Sequence, residues 1–137
     1  MKLIKKYQLN HIGYIVENLS ISANLFGSTF GYKIETDEIV DSLQDVTVQF
    51  LSHDYLPKIE IISPNSISSP SHNALKKGGG INHIGYDIND IYKEINHLEK
   101  KKFKLVKKPL PGAAHKNKLV CFLYNTKIGL IELIEQK

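Results

Sequence analysis

The chain has 137 residues, 42% hydrophobic and 23% charged, which suits one globular domain and argues against a fibrous or disordered chain. No apolar run approaches the roughly 20 residues of a membrane span, MKLIKKYQLN has no signal-peptide core, and one cysteine, Cys121, allows neither an internal disulfide nor a cysteine-pair zinc site. The net charge of +4 rests on 18 basic residues, all lysine, and a sequence-specific nucleic-acid reader without arginine's planar fork is not expected.

These exclusions leave a cytoplasmic protein as the expectation, with no nucleic-acid or membrane partner. Taken in order, LNHIGYIVE alternates and is rich in β-formers, so it reads as a strand. Asn18 then reads as a helix N-cap, with Leu19, Ala23, Phe26 and Phe30 spaced along one buried face. Gly31 ends that helix, and YKIETDEIV follows as a second strand. VTVQFLS and KIEIIS make a third and a fourth, joined by the turn-prone His53-Asp54-Tyr55-Leu56-Pro57. SPNSISSPSHNALKKGGG reads as a linker with a short helix in its middle. The order then repeats: INHIGYDI, a helix from about Asp90 to Lys100, FKLVK, KLVCFLY and GLIELIE. The lysines from Lys100 to Lys108 read as a solvated helix end running into an exposed strand edge, where they discourage aggregation.

The second half copies the first at a fixed spacing. Asn10-His11-Ile12-Gly13-Tyr14 recurs 72 residues later as Asn82-His83-Ile84-Gly85-Tyr86. The same shift carries Ile59-Glu60-Ile61-Ile62 onto Ile131-Glu132-Leu133-Ile134, and Val48-Gln49-Phe50-Leu51 onto Val120-Cys121-Phe122-Leu123. Gly31-Tyr32-Lys33-Ile34 falls on Phe103-Lys104-Leu105-Val106, with no gap required. A fixed-period repeat of this kind marks a duplicated structural unit. Residues 1–137 are therefore expected to form a single domain, with module one at about 1–64, a linker at 65–80 and module two at 81–137. The fold class is α+β: two tandem βαβββ modules in a cupped, barrel-like mixed sheet around a metal site.

Strand alternation selects the candidate ligands. In each last strand one glutamate stands among Ile and Leu, and His11 and His83 hold matching places in the first strands. A strand histidine alone is usually structural, and a strand glutamate alone is usually the wet side of an amphipathic strand. Two of each kept in register, each pair 49 residues apart, point instead to His11, Glu60, His83 and Glu132 as ligands of one divalent metal. Two imidazoles and two carboxylates suit Co, Ni, Zn, Mn or Fe and leave positions open for water or substrate. His53, His72, His97 and His115 have no counterparts under the shift and receive no role.

This pattern resembles the vicinal oxygen chelate superfamily, which includes glyoxalase I, methylmalonyl-CoA epimerase, extradiol dioxygenases and bleomycin-resistance proteins. Within it, three features look most like methylmalonyl-CoA epimerases: Ser69-Pro70 and the short helix leading through Gly78-Gly79-Gly80-Ile81-Asn82 to His83, the loop Gly112-Ala113-Ala114-His115, and Gly129-Leu130-Ile131-Glu132-Leu133. The resemblance implies a metal-dependent epimerase or isomerase that removes a proton beside a thioester carbonyl through a metal-stabilised enolate. Glu132 or Glu60 would leave the metal to act as the base, an acyl-CoA thioester would be the small-molecule substrate, and a homodimer would be the assembly. Epimerases often carry glutamine where this chain has Glu60. Some also carry a second glutamate on the third strand, for which Gln49 is the nearest residue expected to face the same way. Glyoxalase I (lactoylglutathione lyase) is the alternative, favoured by the two-His, two-Glu set and opposed by the missing arginine. A non-catalytic binding protein of the bleomycin-resistance kind is a third, opposed by the complete ligand set and the absence of tryptophan. An extradiol dioxygenase fits least, since its iron site uses two histidines and one glutamate.

Overall fold

A computed structural model describes residues 6–137; residues 1–5, which open the stretch read above for a signal peptide, lie outside the described residues. The fold is α+β, with three helices and nine strands among the described residues. The chain divides into two compact units, one of His11–Asn82 and the other of the residues up to Asn10 together with His83–Lys137. In each unit the strands run in an ordered path and do not close into a ring. None of the helices among the described residues is long and apolar enough to cross a membrane.

The unit of His11–Asn82 contains most of β1 (Gln8–Ile15), then α1 (Leu19–Phe30), β2 (Lys33–Ile34), β3 (Ile39–Asp41), β4 (Val46–Ser52), β5 (Ile59–Pro64) and α2 (Pro70–Lys76). Its strand order is β2-β4-β5-β1, with β3 also paired to β4. β1 and β5 are parallel, and the other pairs are antiparallel. α1 begins at Asn18, whose side chain accepts the Ile21 N–H at 2.9 Å and so satisfies one of the otherwise orphaned amides of the first turn. It ends at Gly31, which takes the left-handed conformation at φ 84°. Leu19 and Ala23 are buried against Leu51, Ile59 and Ile61, with Phe26 packed beside them. Phe30, expected on that buried face, is 55% exposed. It sits at the last turn of the helix and tilts against Phe26, with ring centroids 6.2 Å apart.

The expected second strand is broken in two. Ile34 pairs with Leu51 and Ile39 with Val48, so five steps along one strand oppose three along its partner. Thr36 makes the break possible. Its hydroxyl accepts the Phe50 N–H at 3.2 Å, taking the place of a ladder carbonyl, and its carbonyl accepts Gln49 Nε2 at 3.1 Å. Buried donors that lose a strand partner need such replacements.

α2 starts at Ser69, whose hydroxyl accepts the Ser71 N–H, with Pro70 at its first position. The glycines that follow are needed for their backbone. Gly79 has φ +67°, and a Cβ there would meet the Ile15 carbonyl oxygen at 2.7 Å. Gly79→Ala is therefore expected to cost about 1–3 kcal/mol from the strained φ together with the clash, read as a lower urea midpoint with an unchanged slope.

The second unit contains most of β6 (Gly80–Ile88), then α3 (Ile91–Glu99), β7 (Lys104–Pro111), a 3-10 turn (Ala113–His115), β8 (Leu119–Asn125) and β9 (Gly129–Glu135). Its order is β6-β9-β8-β7, with β6 and β9 parallel. α3 is capped by Asp90, which accepts the Lys93 N–H. It buries Ile91, Ile95 and Leu98 against Cys121, Leu123 and Leu133. Tyr7 ties the N-terminal residues to this unit by donating to Glu94 Oε2 at 2.6 Å. Burial first, and then the Glu94 carboxylate, push its phenol above the usual range. β7 is the outermost strand, as the lysine run implied, and its pairing with β8 slips twice, between Leu105 and Lys107 and between Lys107 and Leu110. Pro109, which has no N–H to donate, falls in the second slip.

The two units repeat the same pairing. Ile12 lies opposite Ile59 and Ile84 opposite Ile131; Phe50 lies opposite Glu60 and Phe122 opposite Glu132. These strands keep the 72-residue shift. The second strand does not: Leu51 faces Ile34, whereas Leu123 faces Leu105, one residue short of that shift. The gapless alignment of Ile34 with Val106 is corrected by one residue, and the shorter helix of the second module, 9 residues against 12, precedes the step.

Candidate metal-binding half-sites

In the first unit the face of the sheet turned away from α1 holds His11 and Glu60. Ile12 and Tyr14 pack on the helix side, so alternation places His11 on the other. Glu60 lies directly opposite Phe50 and therefore shares its face. The side chains confirm this placement. His11 Nε2 is 3.2 Å from Glu60 Oε1, and the Phe50 ring meets the His11 ring edge-on at 5.8 Å. Both ligand candidates are buried, at 0% and 5% exposure.

The second unit builds the same group. His83 Nε2 is 3.3 Å from Glu132 Oε1, and Phe122 meets the His83 ring at 90° with centroids 5.1 Å apart. His83 and Glu132 are buried too. Thus the four residues selected from the sequence fall into two equivalent pairs, His11 with Glu60 and His83 with Glu132.

The nitrogen–oxygen spacing bears on metal binding. Ligand atoms held at about 2.1 Å from one transition-metal ion, at angles between octahedral and tetrahedral, lie roughly 3.0–3.4 Å apart. Both pairs fall within that range. Each of the four residues offers one ligand atom and is buried, and a buried carboxylate needs a compensating positive charge. Each pair thus offers one imidazole and one carboxylate, donors that suit a divalent transition metal.

A family model described as the glyoxalase/bleomycin resistance protein/dioxygenase superfamily matches residues 10–122. The chain belongs to that superfamily. Among curated relatives, a mitochondrial methylmalonyl-CoA epimerase of Dictyostelium discoideum is 31% identical over 134 residues, covering 95% of this chain and 78% of the relative. Among solved structures, a hypothetical protein of Bacillus halodurans superposes with a TM-score of 0.84 at 27% identity, covering 97% of this chain and 96% of that one. The methylmalonyl-CoA epimerase of Mycobacterium tuberculosis superposes at 0.81 and 22% identity, over 98% and 90% of the two chains. That last likeness shows the superfamily's fold.

Two features of this superfamily member were not anticipated from its sequence. Phe50 and Phe122 flank the two histidines at equivalent positions, and they lie in the same repeated register that selected the glutamates. His115 approaches the second pair, with Nε2 3.8 Å from Glu132 Oε2 and a side chain only 8% exposed. The repeat assigned it no role; the structure places it beside Glu132. It sits on the 3-10 turn between β7 and β8, and such a loop need not repeat.

Gln49 is corrected in the other direction. It lies opposite Ile61, which packs under α1, so Gln49 faces the helix side and not the His11–Glu60 side. Its amide is engaged with the Thr36 carbonyl. Cys121, its counterpart, likewise pairs with Leu133 on the helix side. Burial first, then the Glu132 charge, raise the Cys121 thiol to about 12. The native protein is expected to resist thiol reagents at pH 8 and to titrate one thiol on unfolding; rapid labelling of the folded chain would contradict this placement. Of the remaining histidines, His53 is structural. Its Nε2 lies 2.8 Å from the Phe30 carbonyl oxygen, and its Nδ1 accepts the Tyr55 and Leu56 N–H groups.

Proposed function

We propose that His11, Glu60, His83 and Glu132 bind one divalent metal ion and that the protein removes the α-proton of an acyl-CoA thioester, as a methylmalonyl-CoA epimerase does. The observation that carries this reading is the pair of equivalent buried His–Glu groups, each at ligand-to-ligand spacing. The name of the Dictyostelium relative, similar along nearly the whole chain, supplies the substrate class. When bound, the metal would stabilise negative charge developing on the substrate's carbonyl oxygen.

The chain's own residues supply the rest. Glu132 is the residue best suited to take the proton. It stands between two imidazoles, His83 toward one oxygen and His115 toward the other. Glu60 lies 3.2 Å from His11 and serves as the steadier ligand. Phe50 and Phe122 present apolar edges beside the histidines, which limits water around the reacting carbon. Glyoxalase I chemistry is the second reading, favoured by glutamate at position 60.

The deciding experiment is solvent deuterium uptake into methylmalonyl-CoA, followed by mass spectrometry with metal-loaded protein in D₂O against a chelated control. Metal-dependent uptake at the α-carbon is expected. Stoichiometric metal with no uptake would remove the epimerase reading, and hemithioacetals would then be tested for glyoxalase turnover.

A further inference from the structure

The two half-sites are alike in His, Glu and Phe, but their rims differ. In the first unit Lys58 directly precedes β5 and lies two residues before Glu60, so it projects from the same face. Its main chain is fixed: the Lys58 carbonyl accepts the Ile12 N–H at 2.9 Å, next to His11. Its ammonium rests 5.4 Å from the centre of the Phe50 ring, the ring that meets His11. The same ammonium is 3.1 Å from Glu35 Oε2, and both side chains are 36% exposed. Glu35 is held alongside, with its N–H donating to the Phe50 carbonyl at 2.9 Å.

The second module has no such pair. Leu130 stands where Lys58 would fall, and Lys107, which pairs with Phe122, stands where Glu35 would fall, so these two positions hold no lysine–glutamate pair there. Residues common to both halves serve the duplicated fold and ligand set. A lysine–glutamate pair present at these positions in one half alone breaks that equivalence, as recognition of an unsymmetrical substrate requires. With no arginine in the chain, a full positive charge to meet an anionic group on the substrate comes from lysine, protonated histidine or a metal.

We infer that Lys58 is a specificity-determining residue that receives a carboxylate of the substrate, with Glu35 as the counter-ion it exchanges for that carboxylate. The inference rests on the thioester reading above. Phe50 holds the stem and ammonium over its ring, so the charge stays beside the His11–Glu60 pair while Glu35 gives way. An exposed ion pair of purely structural use contributes little and would show no preference among ligands.

The test is calorimetric binding of methylmalonyl-CoA and of propionyl-CoA, which lacks the second carboxylate, to the metal-loaded protein. Wild-type protein should prefer methylmalonyl-CoA by about tenfold or more, as expected for a charge-assisted contact. K58M should erase that preference by weakening methylmalonyl-CoA alone, and K58R should restore most of it. E35Q should tighten methylmalonyl-CoA several-fold and leave propionyl-CoA unchanged. A preference that survives K58M, or wild-type protein with no preference, overturns the inference. Failure of the thioester reading shows separately, as an absence of α-proton exchange in the wild type.

Discussion

Glu132→Gln is expected to lower α-proton exchange into methylmalonyl-CoA by about 10²–10⁴-fold, the range attributable to a positioned general base. The amide keeps an oxygen for the metal but cannot accept a proton at neutral pH, so the variant separates the two roles of Glu132. Glu60→Gln is the matched control. It removes the same charge from the equivalent pair, where His11 lies 3.2 Å away, and it installs the residue that epimerases often carry there. Exchange in that variant should stay within about tenfold of wild type, because a neutral carbonyl oxygen still serves as a ligand. Rates are to be normalised to bound metal, measured by elemental analysis, so that loss of the ion is not mistaken for loss of the base. Full exchange in Glu132→Gln would remove it as the base. The reverse asymmetry, with Glu60→Gln inactive, would assign the proton to Glu60.

The contrast between these two variants rests on information that the sequence carried only in part. The 72-residue repeat was legible because it is written in residue identities, and it was enough to select His11, Glu60, His83 and Glu132 and to pair them. The caps at Asn18 and Gly31 were legible too, since each is a local requirement of the backbone. The facing of Gln49 was not. Alternation separates two faces of β4 but does not say which one carries the site; that follows from Phe50, not Gln49, lying opposite Glu60. His115 was missed for a related reason. Searching for residues that survive duplication keeps what both halves share and discards what one loop supplies. Its approach to Glu132 depends on a 3-10 turn 17 positions earlier in the chain, a contact no periodic pattern records. The break between β2 and β3 depends in the same way on one side chain, Thr36, standing in for a strand partner.

Removing divalent ions should produce the other large effect, in stability as well as in exchange. Glu60 and Glu132 are each at most 5% exposed, and a carboxylate taken out of water is costly unless a positive charge or hydrogen bonds compensate it. The imidazoles at 3.2 and 3.3 Å stand where they would share a divalent ion with the carboxylates. A metal that binds only the folded chain stabilises it by about 4 kcal/mol when its free concentration is a thousand times its Kd. For a chain of this size that corresponds to a fall in Tm on the order of 10 °C after chelation. Exchange into methylmalonyl-CoA should fall to the uncatalysed rate in the same samples. Adding back Co, Ni, Zn, Mn or Fe one at a time should restore Tm in an order set by each ion's affinity, while the order for exchange need not match it. A His83→Ala variant supplies the control: its Tm should respond far less to any of these ions, because one imidazole ligand is gone. If the wild-type Tm is the same with and without chelator, the buried glutamates are compensated by the protein alone, and the metal assignment fails together with the chemistry built on it.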